Sequence, residues 1–149
     1  MSQIVDIAKK EIGQTESPRN SNNSKYNKWF GLPNLPWCGM FVSWCYAQAG
    51  KPLGNIGFLK GFAGCQTAVA HFKKTGEITK NPQPGDIVFF DWNSDGRYDH
   101  TGIFVEKVSD RFFNSVEGNT SLSNDSNGGE VMHRLRDFRR AIFVHPKTV

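Results

Sequence analysis

Long apolar runs are absent from these 149 residues. The longest uninterrupted runs, such as Ile87–Phe90, have four residues, whereas a membrane-spanning helix needs roughly 18 or more. The first residues, Met-Ser-Gln-Ile-Val-Asp, have neither the basic segment nor the apolar segment of a secretory signal. We therefore expect no membrane span and no signal peptide, and a protein made in the cytoplasm.

Cysteine is also scarce. The chain has three cysteines, an odd number that does not suggest a disulfide framework and leaves at least one thiol free. The excess of positive charge is small, at +4. That charge favours a polyanionic partner without choosing among nucleic acid, anionic lipid and anionic cell wall.

The length and the aromatic content indicate one folded domain over residues 1–149. A chain of 149 residues has room for one core, and 12 Phe with four Trp supply large side chains to fill it. Because no internal repeat or low-complexity tract occurs, we expect a globular protein, and we expect it to be a monomer.

Helical patterns come first, over about residues 1–80. Apolar residues at helical spacing predict a helix over Ser2–Ile12, and residues 15–25 read as a loop. Cys38–Gln48 is apolar on most sides and lies between Pro36 and Gly50, which predicts a buried helix. A further helix is predicted from about Cys65 to Lys74.

Strand patterns follow, over about residues 85–146. Apolar, β-rich runs separated by turn residues predict about five strands, at Ile87–Trp92, Thr101–Val108, Arg111–Val116, Glu130–Arg136 and Ala141–His145. Hairpin-length gaps favour antiparallel pairing. Helices followed by strands indicate an α+β fold with the helices packed on the sheet.

Cys38 stands where a Pro-Trp loop enters the most apolar helix. A helix N-terminus favours an anion, and the thiolate is the reactive form of cysteine. Cys38 is therefore a candidate nucleophile, with a buried structural cysteine as the alternative. We expect Cys45 and Cys65 to be structural.

A nucleophilic cysteine needs a base, and that base needs an orienting group. His100 opens a predicted strand, and the next strand ends at Glu117-Gly118-Asn119. Because neighbouring antiparallel strands bring such ends together, we expect His100 to lie near Glu117 and Asn119. A carboxylate or amide in that place could fix the imidazole tautomer.

Four sequence blocks in this order resemble the CHAP family, the cysteine- and histidine-dependent amidohydrolases and peptidases of the papain-like group. The blocks are Pro-Trp-Cys-Gly-Met-Phe-Val-Ser-Trp at residues 36–44, Pro-Gly-Asp-Ile-Val-Phe-Phe at 84–90, Asp-His-Thr-Gly-Ile at 99–103 and Glu-Gly-Asn-Thr-Ser at 117–121. The stretch over residues 16–29 is similar to phage-lysin-like members.

The resemblance implies a papain-like peptidoglycan hydrolase that cleaves an amide bond of the wall peptide. It implies Cys38 as nucleophile, His100 as base, Glu117 as the group orienting the imidazole and Asn119 as a further polar contributor. On this resemblance we expect the chemistry to require no cofactor. The partner would be bacterial peptidoglycan, reached after release through phage lysis, virion or secretion-system delivery. The bond, whether sugar–L-alanine amide or one within the stem or cross-bridge, stays open.

Three other functions remain open from the residues. The first is a wall-binding module without turnover, and the second is a papain-like protease or transferase acting on proteins. The third is nucleic-acid binding through the basic cluster His133, Arg134, Arg136, Arg139 and Arg140. No nucleic-acid-binding fold signature accompanies that cluster, so we expect no nucleic-acid partner. It is interpreted as a solvated face, with attraction to an anionic wall polymer as the functional alternative.

The segment Asp91–Asp99 has the D-x-N-x-D-G spacing of the first half of a calcium loop. Its candidate ligands are Asp91, Asn93, Asp95 and Asp99. The glutamate usual at the twelfth position is replaced by Gly102. A structural Ca²⁺ site and a plain polar turn are the two interpretations.

Three aromatic residues near the proposed site have candidate roles. Tyr26, upstream of the cysteine, could help to bind the oxyanion, as a residue upstream of the cysteine does in related wall hydrolases. Trp37 and Trp92 flank the site in sequence and could wall a substrate groove. Ordinary packing in the core is the alternative for all three.

Overall fold

Helices precede strands in the computed structural model, which describes residues 2–148. The helices are α1 (Gln3–Lys10), α2 (Lys25–Phe30), α3 (Cys38–Gln48) and α4 (Cys65–Thr75). The strands are β1 (Ile78–Thr79), β2 (Ile87–Phe90), β3 (His100–Lys107), β4 (Phe112–Thr120), β5 (Glu130–Asp137) and β6 (Ala141–Val144). The α+β fold class predicted from the sequence is confirmed.

The strands form one antiparallel sheet in the order β1-β6-β2-β3-β4-β5. The sequence predicted about five strands, and the sixth is β1, an edge strand that pairs Ile78 with Val144. Two residues are too few to show an alternating pattern. Strand β3 is hydrogen-bonded on both sides, so His100 at its first position stands on a rigid element.

Helix α3 packs against β3 and β4. Its bounds are those predicted, and eight of its residues are buried. The hydroxyl of Tyr46 on this helix donates a hydrogen bond to the carbonyl of Gly85, just before β2. These contacts fix the position of the helix N-terminus, where Cys38 lies, relative to the sheet.

Helix α2 follows the segment predicted as a loop and was missed. Ser24 caps it: the Ser24 hydroxyl accepts from the backbone N–H of Tyr26 and of Asn27, and the Asn27 side chain accepts from the Ser24 N–H at 2.8 Å. This reciprocal cap stabilises the first turn. Six residues are too few for a helical period to stand out in the sequence.

The sheet buries apolar side chains on both faces. Ile87 and Phe89 of β2 pack with the helices. A second, mostly aromatic cluster lies on the other face and consists of Val88, Phe90, Phe104, Phe113 and Phe143. All four β2 residues are therefore buried, which explains their continuous apolar run.

Across residues 2–148, no helix combines the length and the apolar character that crossing a bilayer requires.

Candidate active site

Cys38 is the first residue of α3, and its side chain is almost completely buried, at 4% exposed. The first N–H groups of a helix have no carbonyl partner within the helix, and its dipole favours negative charge there. The backbone N–H of Gly39 lies next to the Cys38 sulfur and favours its thiolate. The helix start therefore supplies donors both to a thiolate and to charge that develops beside it.

His100 and Glu117 form a buried pair across β3 and β4. His100 Nε2 lies 2.9 Å from Glu117 Oε1, and both side chains are 0% exposed. Because an ionised carboxylate can only accept, His100 Nε2 carries the hydrogen. The other ring nitrogen, Nδ1, is buried and has no well-aligned hydrogen-bond partner among residues 2–148. Nδ1 is thus the atom free to exchange a proton with Cys38, the thiol with which His100 interacts.

The thiol and the imidazole favour each other's charged forms. Interactions with the neighbouring Cys65 thiol and with His100 outweigh burial and hold the pKa of Cys38 well below its usual range. Burial alone would lower the pKa of His100, but Cys38 and Glu117 raise it to about 9. Both shifts favour a thiolate paired with an imidazolium, which is the reactive form of a cysteine nucleophile.

Glu117 is held by more than His100. Arg136 on β5 donates from Nε to Oε2 at 2.8 Å and from Nη2 to Oε1 at 2.5 Å. The Ser115 hydroxyl also donates to Oε2. Burial would raise the pKa of Glu117, but the contacts from Arg136 and His100 lower it to about 2. Glu117 is therefore ionised in the folded protein near neutral pH.

Two glycines next to these residues allow close packing. A Cβ atom on Gly118 would lie 2.6 Å from Cβ of Phe41 and 2.9 Å from the ring of Trp37. A Cβ atom on Gly39 would lie 2.8 Å from the carbonyl oxygen of Ala63. Because neither glycine has a side chain, α3 can approach both β4 and the loop before α4.

Cys65, which was expected to be only structural, lies beside Cys38. It is the first residue of α4, and its interaction with the Cys38 thiol, together with burial, raises the pKa of Cys65 itself. Cys38 and Cys65 come together because the N-termini of α3 and α4 pack against each other. Their separation in the sequence does not indicate this contact. Cys45, by contrast, is 0% exposed within the core.

A cleft of about 370 Å³ opens onto the two thiols. It is lined by Leu35, Pro36, Cys38, Ala63, Gly64, Cys65, Gln66, Thr67, Tyr98 and Asp99. A larger depression of about 490 Å³ lies along α2, and no cysteine, histidine or carboxylate lines it. The cleft at Cys38 is therefore a place where a substrate carbonyl could reach the Cys38 sulfur.

Asn119 does not hydrogen-bond to His100. Its side-chain amide donates to Asn127 Oδ1 at 2.9 Å, and its Oδ1 accepts the N–H of Gly129 at 2.9 Å. Its φ of 58° is left-handed, a conformation that asparagine tolerates better than most residues. Asn119 thus shapes the loop between β4 and β5.

Tyr26 and Trp37 belong to the core. Their rings stack at 5.2 Å, and both side chains are 0% exposed. The Tyr26 hydroxyl donates to Glu11 at 2.8 Å, so this donor is already engaged and the geometry gives no support to an oxyanion role. The expectation for Trp37 is corrected: a fully buried indole, bonded through Nε1 to Glu16 at 3.0 Å, cannot wall an open groove.

Trp92 remains near the site. Its half-buried ring stacks on Phe90 at 4.7 Å and lies 6.2 Å from the ring of His100. Its Nε1 donates to Ser126 in the β4–β5 loop at 2.7 Å. Trp92 therefore joins that loop to the aromatic surroundings of His100.

The candidate calcium ligands do not converge. Within residues 2–148, no three His, Cys, Asp or Glu side chains are grouped as metal ligands. The carboxylate of Asp91 instead accepts the N–H of Gly96 at 2.8 Å and of Asp95 at 3.2 Å, while Asp99 lines the cleft at Cys38. The structure thus shows a hydrogen-bonded polar turn at Asp91 and gives no support to the calcium interpretation.

The basic cluster is divided by the fold. His133, Arg139 and Arg140 are exposed, as a solvated face requires. Arg136 turns inward instead, and its side chain is 7% exposed against Glu117. This role was not predicted from the sequence, because the alternation of inward and outward side chains along β5 does not reveal which carboxylate faces each arginine.

Comparison with known proteins agrees with this geometry. The family model of the CHAP domain matches residues 29–119, which is more than half of the chain.

The chain belongs to the CHAP family.

CHAP domains are typically amidases or peptidases. Among solved structures, the chain resembles the wild-type endolysin LysIME-EF1, with a TM-score of 0.54 and 14% sequence identity. The match covers 98% of this chain and 65% of that endolysin chain, and it shows a shared fold. Among curated proteins no match was found.

Proposed function

We propose that this CHAP domain is a peptidoglycan hydrolase that cleaves an amide bond of the wall peptide through the thiolate of Cys38. The observation that supports it most is the buried series Cys38, His100 and Glu117 beside an open cleft. Membership of a family of amidases and peptidases and a shared fold with an endolysin favour this substrate class.

In the acylation step the Cys38 sulfur attacks the carbonyl carbon of the amide and forms a C–S bond. The first N–H groups of α3 lie where they can stabilise the resulting oxyanion. His100 Nδ1–H donates its proton to the leaving nitrogen as the C–N bond breaks. The products of this step are a free amine and a thioester on Cys38.

In the deacylation step a water molecule attacks the thioester. His100, now neutral, accepts a proton from that water through Nδ1, while Glu117 stabilises the imidazolium that forms. The C–S bond breaks and releases a carboxylic acid. The thiolate and imidazolium of the resting enzyme are restored, so the cycle needs water as its only co-reactant.

Digestion of purified peptidoglycan tests this function. Wild type, Cys38→Ala and the matched control Cys45→Ala would be incubated with peptidoglycans of several wall types, and the products examined by mass spectrometry. We expect wild type and Cys45→Ala to release fragments with one new amine and one new carboxyl group, whose masses name the bond. We expect no release by Cys38→Ala.

Other outcomes would favour other functions. Equal release by wild type and Cys38→Ala would remove Cys38 from the mechanism. If no peptidoglycan is cleaved but the protein sediments with it regardless of the Cys38→Ala change, a wall-binding module is favoured. If a peptide library is cleaved and peptidoglycan is not, a protease acting on proteins is favoured.

A further inference from the structure

The guanidinium of Arg136 makes a two-point contact with the carboxylate that holds the catalytic histidine. Nε and Nη2 reach the two oxygens of Glu117 at 2.8 and 2.5 Å, and the side chains are 7% and 0% exposed. Two parallel N–H···O bonds fix the plane of a carboxylate as well as its position. Glu117 Oε1 is also the atom that His100 Nε2 contacts.

The rest of the Arg136 side chain is fixed as well. Nη1 donates to Asp125 Oδ1 at 2.9 Å. The guanidinium lies over the ring of Trp92 at 4.8 Å and over that of Phe90 at 5.4 Å, the same two rings that stack beside His100. Every nitrogen of the guanidinium thus has a partner, and its flat face is packed.

Without Arg136, the His100 imidazolium would be the one cation among residues 2–148 left in contact with Glu117. Because burial disfavours the charged form of a carboxylate, Glu117 would then be more easily protonated. A neutral Glu117 could no longer stabilise an imidazolium on His100, and the thiolate of Cys38 would lose its cationic partner. A lysine could supply the charge at one point, but it lacks the planar pair of donors.

We propose that Arg136 is a positioning residue of the reaction, which keeps Glu117 an ionised and oriented carboxylate so that His100 stays charged with Nδ1 toward Cys38. This inference rests on the proposed function for the role of the three residues in turnover. The rival explanation is an ion pair that only joins β4 to β5.

Arg134 provides a matched control on the same strand. It also donates to Asp125, at 3.0 Å, and it bonds Thr120 and the carbonyl of Ser121 at 2.7 and 2.9 Å. It makes no hydrogen bond or ion pair to Glu117. Arg134→Met therefore removes a comparable set of polar contacts without touching the catalytic carboxylate.

The test measures the rate of alkylation of Cys38 by iodoacetamide against pH, with the thermal midpoint of each variant. Alkylation reports the thiolate and does not require peptidoglycan as substrate, so the outcome is separable from that of the proposed function. The acid limb is the part of the profile in which the alkylation rate rises with pH as Cys38 ionises. For Arg136→Met we expect this limb to move to higher pH by about one unit or more, so that at a given pH on the limb the rate is about tenfold lower. Peptidoglycan hydrolysis near neutrality should fall with it.

Arg136→Lys should move the acid limb to higher pH by a smaller amount. If Arg136→Met does not fold, the limb of Arg136→Lys is the measurement that tests the inference. Arg134→Met should lower the thermal midpoint and leave the limb where it is. The inference is overturned if folded Arg136→Met, or Arg136→Lys in its place, keeps the wild-type limb, or if Arg134→Met moves that limb as far as the Arg136 variant does.

Discussion

Gly102 on β3 lies against Glu117 on β4, so that a Cβ atom on Gly102 would be 2.6 Å from Cγ of Glu117 and 3.0 Å from the carbonyl oxygen of Val116. Real Cβ atoms do not approach other atoms so closely, so a side chain here would displace the carboxylate or the strand. The absence of a side chain at Gly102 is therefore what lets Glu117 lie across β3 and reach His100.

Gly102→Ala should consequently lower activity. The displaced Glu117 would no longer bond His100 Nε2 at 2.9 Å, and crowding of this kind typically destabilises a protein by roughly 1–3 kcal/mol. We expect hydrolysis to fall by about tenfold or more in protein that remains folded, as judged by circular dichroism. Gly102→Ala protein with wild-type turnover would show that the contact has no part in the reaction.

The pH dependence of hydrolysis should be bell-shaped. The rate should rise on the acid side as Cys38 ionises, at a pH below the usual range of a thiol because the pKa of Cys38 is lowered. It should fall as the pH passes about 9, where His100 loses the proton that it gives to the leaving amine. Initial rates on soluble peptidoglycan fragments measure this, and a rate that is still rising well above that pH contradicts the role of His100.

Cys65→Ala should weaken the nucleophile. The interaction with the Cys65 thiol favours the Cys38 thiolate, so its loss should raise the pKa of Cys38 and slow alkylation at mildly acidic pH by about threefold to tenfold. Cys65→Ser, which keeps a donor, should recover part of that rate. Cys45→Ala, a change in the core away from the cleft, should leave the pH dependence as it is.

An unchanged alkylation profile in folded Cys65→Ala would contradict a role for this thiol beside Cys38.

Asn119→Gly should loosen the loop between β4 and β5. Glycine tolerates the left-handed backbone at this position, so the substitution removes the bonds to Asn127 and Gly129 without adding strain. Losing two hydrogen bonds typically costs about 1–3 kcal/mol, which thermal unfolding measures. We expect the pH dependence of Cys38 alkylation to be the same as in wild type. A shifted profile would instead favour a direct influence of Asn119 on His100.

The sequence predicted well the features that local patterns encode. Helix α3 has its predicted bounds because an apolar run lies between Pro36 and Gly50. His100 and Glu117 were expected to meet because each stands near the end of a strand, and the structure brings them together. Local patterns are enough to predict this contact because short hairpins determine which strands are neighbours in the sheet.

Features that depend on tertiary packing were missed or misjudged. Cys65 meets Cys38 only because two helix starts converge. Arg136 looked like one member of an exposed basic cluster, yet it is buried against Glu117. The indole of Trp37 directly precedes Cys38 in sequence but turns into the core. Which side chain faces which partner is decided by packing, and no spacing along the chain carries that information.

The most direct test of the account is a titration of Cys38 with iodoacetamide at mildly acidic pH, about 6. The pKa of Cys45 is raised by burial, and that of Cys65 by its interaction with Cys38 and by burial, so both thiols should stay protonated there. Peptide mapping would give the modified fraction of each cysteine, and peptidoglycan hydrolysis would be measured on the same samples. We predict that only Cys38 is modified and that activity falls in proportion to its modification. Full modification of Cys38 with activity retained would contradict its role as the nucleophile.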